Sequence, residues 1–437
     1  MTDNQNKPRD YDAVLGGQSP LPVDGVVLGG IEGVKRCLSN PVTQVRIAAL
    51  SEALKYGDAG LDVLIQGLQD KSRLVQRFAY RLLKPRVEAQ VIQALQIYKP
   101  WDLEERIDKY YVYKATQFAN RQVVDFNPNI SIIKPVNKAY SFRCGDYEYY
   151  DYDENLPSQL GRLVQETNEE NLPSQLSRLL QEPNADKLEA LVFGLWAQPY
   201  ESDSSSIVQA LVDAKQRLTN LKAVFIGNIA PDECEISWIQ QSDTSPILQA
   251  YPKLEILQVR GGDGLQFSPP IRHDRLKALI VETGGLSRDT VAQICQMNLR
   301  ALEHLELWFG SEDYGGNCWI EDIHPILFEE KFPNLTYLGL RNSQFTDEIV
   351  SVIVSSPVID YISVLDLSMG TLSDAGAEEL LNCSAINNLD ILNISENFLS
   401  QAMIEKFSEL DVRVLANNQK KEDNVSYIHS RYCSVSE

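Results

Sequence analysis

From Leu188 onward one short apolar motif returns nine times, as LEALVF, LKAVFI, LEILQV, LKALIV, LEHLEL, LTYLGL, ISVLDL, LDILNI and a degenerate VRVLAN. The copies begin at Leu188, Leu221, Leu254, Leu276, Leu302, Leu335, Ile362, Leu389 and Val412, 22 to 33 residues apart. Such a unit cannot bury its apolar face alone, so it must stack on its neighbours. The spacing predicts an α/β solenoid with one strand and one helix per repeat. Parallel strands should line a concave side. Segments such as SSSIVQALVDAKQRL, SRDTVAQICQM and SDAGAEELLN should form helices on the convex side.

The chain ahead of this array reads differently. Residues 1–25 are a polar tail rich in Gly and Pro. Over 26–105 apolar residues fall at helical spacing, and Val45 with Ala49 recurs thirty residues later as Val75 with Ala79. Each pair shares one helix face, and Asn40 and Asp70 precede helices as caps. Over 106–153 the period shifts to alternation in QVVDFNP, SIIKP and KAYSFRC, which predicts a small β-containing cap or linker, followed by the acidic aromatic loop GDYEYYDYDE.

Residues 154–186 say nearly the same thing twice. The copies are offset by sixteen residues, and eleven of their first thirteen positions agree. Leu156, Leu160 and Leu163, then Leu172, Leu176 and Leu179, make one apolar helix stripe per copy. Pro157 and Pro173 fit a first turn. The second copy runs straight into the first motif and is expected to cap the array; the first is read as a spare. The array itself occupies 187–417, and 418–437 form a polar tail.

Asp and Glu outnumber Lys and Arg by 61 to 40, a net charge of -21. Nucleic-acid binding needs basic residues to displace counterions from phosphates, so this balance argues against it; Lys420 and Lys421 are followed at once by Glu422 and Asp423. The seven cysteines are scattered without a CxxC pair, which disfavours structural zinc and a disulfide framework. The N-terminus lacks the apolar run of a signal peptide, and no apolar segment reaches the roughly 18 residues of a membrane span. A cytoplasmic monomer without membrane or nucleic-acid partners is the expectation.

Catalytic candidates are thin. RGGDG from Arg260 lacks the Lys and Ser/Thr of a phosphate loop and reads as a tight turn. In ETGG and YGGN, Gly285 and Gly316 are expected to permit positive φ. His304 and Glu306 share a strand face and are the one pair suited to metal or acid–base work; Asp322–His324 reads as part of an inserted loop. No HExxH or nucleophile accompanies them, so no catalytic, metal or cofactor-binding residue is assigned. In each motif the intervening positions should point into the hollow. That places Gln258, Arg260, Glu282, His304, Glu306, Trp308, Tyr337, Arg341, Asp366 and Asn393 on one concave patch, expected to be open to a partner. Arg and large aromatic residues in a rigid concavity are typical of protein-binding hot spots. The apolar Ala190, Val192, Ala223 and Phe225 at the end columns are expected to lie beneath the strands of 110–152. Two inserts, with Trp238 and Trp319, read either as a rim to the hollow or as loops stapled down by their own tryptophans.

The strand–helix units, with turns such as LSDAG and SENFLS, resemble ribonuclease-inhibitor-type leucine-rich repeats, and so imply a horseshoe. GNIAPDECEISWIQQSDTSPILQAYPKLEILQVRGG, ALIVETGGLS, LEHLELWFGSEDYGG and YLGLRNS resemble a family of uncharacterised bacterial leucine-rich-repeat proteins over roughly Phe118 to Leu415, a likeness that brings no activity. YDAVLGGQ, VLGGIEGVK and RIAALSEALKYGDAGLDVLIQ resemble a cyanobacterial HEAT-like repeat module related to phycobilin lyases. The expected function is therefore a non-catalytic scaffold binding a protein partner through the concave face, with the HEAT-like repeats as a second docking surface. The alternative implied by the resemblance is assistance in phycobilin attachment or phycobilisome assembly.

Overall fold

The computed structural model describes residues 30–98, 102–106, 114–144, 171–268, 271–421 and 431–435. The N-terminal tail, the acidic aromatic loop, the first copy of the doubled element and His429 lie outside them. The chain divides into two compact units, Met1–Trp101 and Asp102–Glu437.

The first unit contains five short helices, α1 (Gly30–Leu38), α2 (Thr43–Ala53), α3 (Gly57–Gly67), α4 (Arg73–Leu83) and α5 (Ala89–Ile97). Ala49, Val75 and Ala79 are buried in its core with Leu50, Leu64 and Leu83, as their i, i+4 spacing requires. Asn40 and Asp70 each accept a backbone N–H two residues on, from Val42 and Ser72. They form turns ahead of the helices rather than caps, because the N-cap positions themselves are Val42 and Ser72. Asp70 also takes both arms of buried Arg46, at 2.9 and 3.1 Å, tying α2 to the turn before α4.

The second unit is built on one twelve-stranded sheet whose spatial order follows the sequence. All nine expected strands are present. They are β4 (Ala190–Gly194), β5 (Ala223–Asn228), β6 (Ile256–Arg260), β7 (Ala278–Glu282), β8 (His304–Gly310), β9 (Tyr337–Ser343), β10 (Val364–Asp366), β11 (Ile391–Asn393) and β12 (Arg413–Leu415). Each neighbouring pair is parallel, and all keep one register except β4 and β5, which shift by a bulge between Phe193 and Gly194. Leucines of the motif, such as Leu257, Leu279, Leu305 and Leu338, join helix residues such as Ile247, Val291 and Ile326 in one continuous core. The alternate residues therefore occupy the opposite, inner face.

The segment expected to cap the array instead extends it. β2 (Arg121–Asp125) pairs in parallel with β3 (Lys138–Phe142), and β3 in parallel with β4. The second copy of the doubled element forms a helix at Leu172–Leu179, with Asn171 as N-cap, Pro173 in the first turn and all three leucines buried. It lies in sequence between β3 and β4, so it is the helix of an ordinary strand–helix unit and does not end the sheet. β1 (Gln117–Phe118) pairs antiparallel with β2, yet Phe118 packs on Phe225 of β5, ring centroids 5.7 Å apart. Four strand spacings in plane would be about 19 Å. β1 is therefore folded back over the inner face, which buries the Phe225 column as the alternation predicts.

Two glycine expectations change. Gly285 and Gly316 do not need positive φ; a Cβ there would meet Tyr314 O at 2.1 Å and Ser311 O at 2.7 Å, so close backbone approach is the constraint. Positive φ falls instead on Gly310 (+67°) and Gly315 (+88°). At Gly310 a Cβ would also lie 1.7 Å from Gly284 O, whereas at Gly315 nothing is within 4 Å. Gly310→Ala should thus cost about 3 kcal/mol or more, and Gly315→Ala only about 1 kcal/mol. Urea denaturation of both variants checks the difference; equal losses would contradict the packing at Gly310.

Candidate functional site

The ten predicted residues do share the inner face of β6 to β11, but they are not open to solvent. Trp308 is 1% exposed, Glu282 and Glu306 are 0%, and Asn393, the most accessible, reaches only 7%. The expectation of an open concave patch is corrected by a segment of the chain that the repeat pattern does not reveal. Asp102–Arg106, ending in a short turn at Glu104–Arg106, places the Arg106 guanidinium on this face. Its Nη1 lies 2.7 Å from Glu282 Oε1. Nε donates to Glu306 Oε2 at 3.0 Å, and Nη2 donates to Glu306 Oε1. Leu103, Glu105 and Arg106 are themselves buried. Glu105 turns its carboxylate to the backbone N–H of Asn120.

Around this contact the polar groups close on one another. Glu306 also accepts from Trp308 Nε1 at 2.8 Å and Arg341 Nη1 at 2.9 Å, and sits 3.2 Å from His304 Nε2. Glu282 accepts from Arg260 Nε at 2.7 Å and Gln258 Nε2 at 3.0 Å. Asp366 accepts from Tyr337 OH at 2.7 Å and Asn393 Nδ2 at 3.0 Å. Arg341 lies over the Trp308 ring at 5.2 Å, and the rings of His304 and Tyr337 stack 3.8 Å apart. Alone, the sheet's ten residues hold three carboxylates against two guanidiniums. Arg106 supplies the missing cation.

The electrostatics follow. Burial by itself would raise the Glu306 carboxyl, but Arg106 and Arg341, with the His304 hydrogen bond, hold it well below the usual carboxylate range. Burial pushes the His304 imidazole down against the opposing pull of Glu306. A carboxylate so held is a weak base, and its imidazole neighbour is enclosed, so the pair is poorly suited to proton transfer. Among the described residues no group of three or more His, Cys, Asp or Glu is placed to hold a metal ion, and no helix is long and apolar enough to cross a membrane.

Other expected features fall elsewhere. Asp322–His324 lies within a helix, Ile320–Phe328, rather than a loop. Asp322 accepts from the Trp319 backbone N–H at its start. Trp319 tilts against Phe345 at 5.8 Å yet remains 45% exposed, and Trp238 is 59% exposed. Sequence reasoning missed a second covering segment. Residues 431–435 cross the ends of β8 to β10, with Val435 N donating to Asn342 Oδ1 at 2.9 Å and Ser434 N to Met369 O at 2.9 Å. Lys420 Nζ ties this strap to Gly370 O at 2.9 Å and Ser434 Oγ at 3.2 Å; burial lowers its pKa to about 8.

The parallel strand-per-repeat sheet and the leucine positions make the second unit an α/β solenoid of the leucine-rich-repeat type. No family model matches the chain, and no curated protein does. Among solved structures, a Bacteroides fragilis protein determined as a structural-genomics target is similar, with 28% identity and a TM-score of 0.55 over 64% of this chain and 75% of its own. An internalin from Listeria monocytogenes aligns over 56% of this chain and 70% of its own, with 14% identity and a TM-score of 0.29.

Two outcomes test this site. Arg106→Ala leaves buried Glu282 and Glu306 short of a cation and should cost about 3–5 kcal/mol, read by urea denaturation at pH 7. Acid should weaken the fold in two stages. His273 and His304 are both held below their free value by burial. The unfolded chain therefore protonates first, and stability falls as pH drops below about 6.5. The Glu306 contribution, complete above about 4.3, is lost as pH falls further through its depressed folded pKa. A His273→Asn, His304→Asn variant should show a flatter dependence between pH 7.5 and 5.5; an unchanged slope would contradict the assignment.

Proposed function

We propose that the chain is a non-catalytic protein-interaction scaffold whose inner leucine-rich-repeat face recognises an extended segment bearing an arginine. The observation that carries this reading is Arg106 itself. The face holds a short segment of its own chain by a guanidinium fork on two carboxylates, the geometry by which proteins read arginine side chains. Gln258, Arg260, Glu282, His304, Glu306, Trp308, Tyr337, Arg341, Asp366 and Asn393 form the receiving surface, and Asp102–Arg106 is its resident occupant. A partner segment would bind by replacing that occupant. The helical unit, read as a HEAT-like module, offers a second docking surface; Ile92 and Ile97 in its last helix are 47% and 72% exposed, and Val87, just ahead of that helix, is 83% exposed. Large exposed apolar side chains grouped on one element mark interaction sites.

The test uses a synthetic peptide of residues 100–108, PWDLEERID, with the full-length chain. Arg106→Ala should be stabilised by the added peptide, seen as a rise in its melting temperature. Wild type, with its site filled, should not respond. Nor should a peptide with Ala at the arginine position have an effect. A folded Arg106→Ala chain indifferent to the arginine peptide at millimolar concentration would make Arg106 a structural strut and remove the inner face as a recognition surface.

A further inference from the structure

Because the strands are parallel, the loops that follow them all emerge on one edge of the solenoid. They interlock there: Gln240 N donates to Pro199 O at 2.8 Å, Gln241 N to Asp263 O at 2.7 Å and Ser311 N to Gly284 O at 2.9 Å. The loops after β4, β5, β6, β7 and β8 span 195–204, 229–244, 261–268, 283–287 and 311–319. Together they contain nine carboxylates and no Lys, Arg or His. Glu201, Asp232, Glu235, Asp263, Glu312 and Asp313 are exposed. Glu233 is already paired with Arg143 and Lys114, but none of those six forms an ion pair among the described residues. The opposite edge, where chain enters β4 to β8, is mixed: Lys222, Arg272 and Lys277 pair there with Glu189, Asp274 and Glu255. From β4 to β8 the edge where chain leaves the strands is therefore the more acidic of the two.

The same acidic edge holds the exposed aromatic residues. Among the described residues, Tyr200 (49%), Trp238 (59%), Trp319 (45%) and Tyr432 (47%) are the only exposed Phe, Trp or Tyr side chains. The first three stand in these loops, and Tyr432 lies in the strap across the strand ends. Solvating the edge requires the carboxylates but not the tryptophans. Rings set among carboxylates form a surface suited to cations, through cation–π attraction supported by ion pairing. From β4 to β8 the edge extends four strand spacings, about 19 Å, the length of roughly six extended residues.

We propose that this edge is a docking surface for a cationic segment of a partner protein, with Lys or Arg side chains seated on Tyr200, Trp238 and Trp319 between the carboxylates. Charge complementarity selects that occupant, since anionic surfaces, nucleic acids among them, are repelled. The inference rests on the reading of the chain as a recognition scaffold but uses a surface separate from the inner face, so the Arg106 peptide experiment and the one below can fail independently.

The probe is a fluorescein-labelled decapeptide of alternating Arg and Ser, titrated against the full chain by fluorescence anisotropy at 50 mM and 300 mM NaCl. Wild type should bind, more weakly at high salt. Trp238→Ala, Trp319→Ala should weaken binding about tenfold, as two exposed cation–π contacts imply, while the loss of the Trp319–Phe345 contact lowers the melting temperature only modestly and leaves the chain folded at the assay temperature. Asp263→Asn, Glu312→Gln, Asp313→Asn should weaken it at least as much. A control with the same charge change on the helical side, Glu348→Gln, Glu379→Gln, Glu409→Gln, should change it less than twofold. Equal effects from the two charge triples, or no effect of the tryptophan pair, would overturn the proposal and leave only attraction to the net charge. A wild-type chain that excludes the peptide by dimerising through Trp238 would assign the edge to a second copy and also overturn it.

Discussion

A buried sheet face with three carboxylates and two guanidiniums cannot be closed over without another cation, and Arg106 is that cation. Removing an ion from water costs several kcal/mol unless it is paired and hydrogen-bonded. Arg260 pairs with Glu282 and Arg341 with Glu306, and the segment 102–106 adds the third guanidinium, shared between both carboxylates. The contact spans 200 positions of sequence, so it fixes the start of the second unit against the middle of its array. Around it the network of Gln258, Arg260, His304, Trp308 and Arg341 is enclosed rather than presented. At the far strand ends the strap 431–435 covers a second region in the same manner, with Lys420 as its anchor.

This closure changes where function should be sought. His304 and Glu306, the one pair with catalytic residue types, are committed to holding each other and two arginines. The inner face is packed against a segment of its own chain. What stays open is the edge at the C-terminal ends of the strands, where acidic side chains and tryptophans stand together. Among the described residues, one face is thus packed against a segment of the same chain, and one edge is exposed, acidic and aromatic.

Much of the fold was legible because a leucine motif states its own period. All nine motifs became strands, each starting one or two residues after the motif's first residue, and the second copy of the doubled element became the helix its three leucines demand. The extra strands β2 and β3 were read as strands but assigned to a separate cap, because QVVDFNP and KAYSFRC carry alternation without the leucine signature that marks the stack. Alternation told correctly which residues share the inner face. It could not tell that the face is covered, since exposure depends on a segment distant in sequence that has no periodic signal. One clue was present: Glu282, Glu306 and Asp366 outnumber Arg260 and Arg341. An unbalanced column of charges called for a partner cation, and the sequence offered forty basic residues with no rule for choosing Arg106 among them.

Hydroxyl-radical footprinting of the full chain, with oxidation rates read at each tryptophan by mass spectrometry, tests the closed inner face most directly. Trp308 should be protected, while Trp238 and Trp319, 59% and 45% exposed on the acidic edge, should oxidise rapidly. Oxidation of Trp308 at a rate matching Trp238 in the folded chain would show the inner face open and contradict the role given to Arg106.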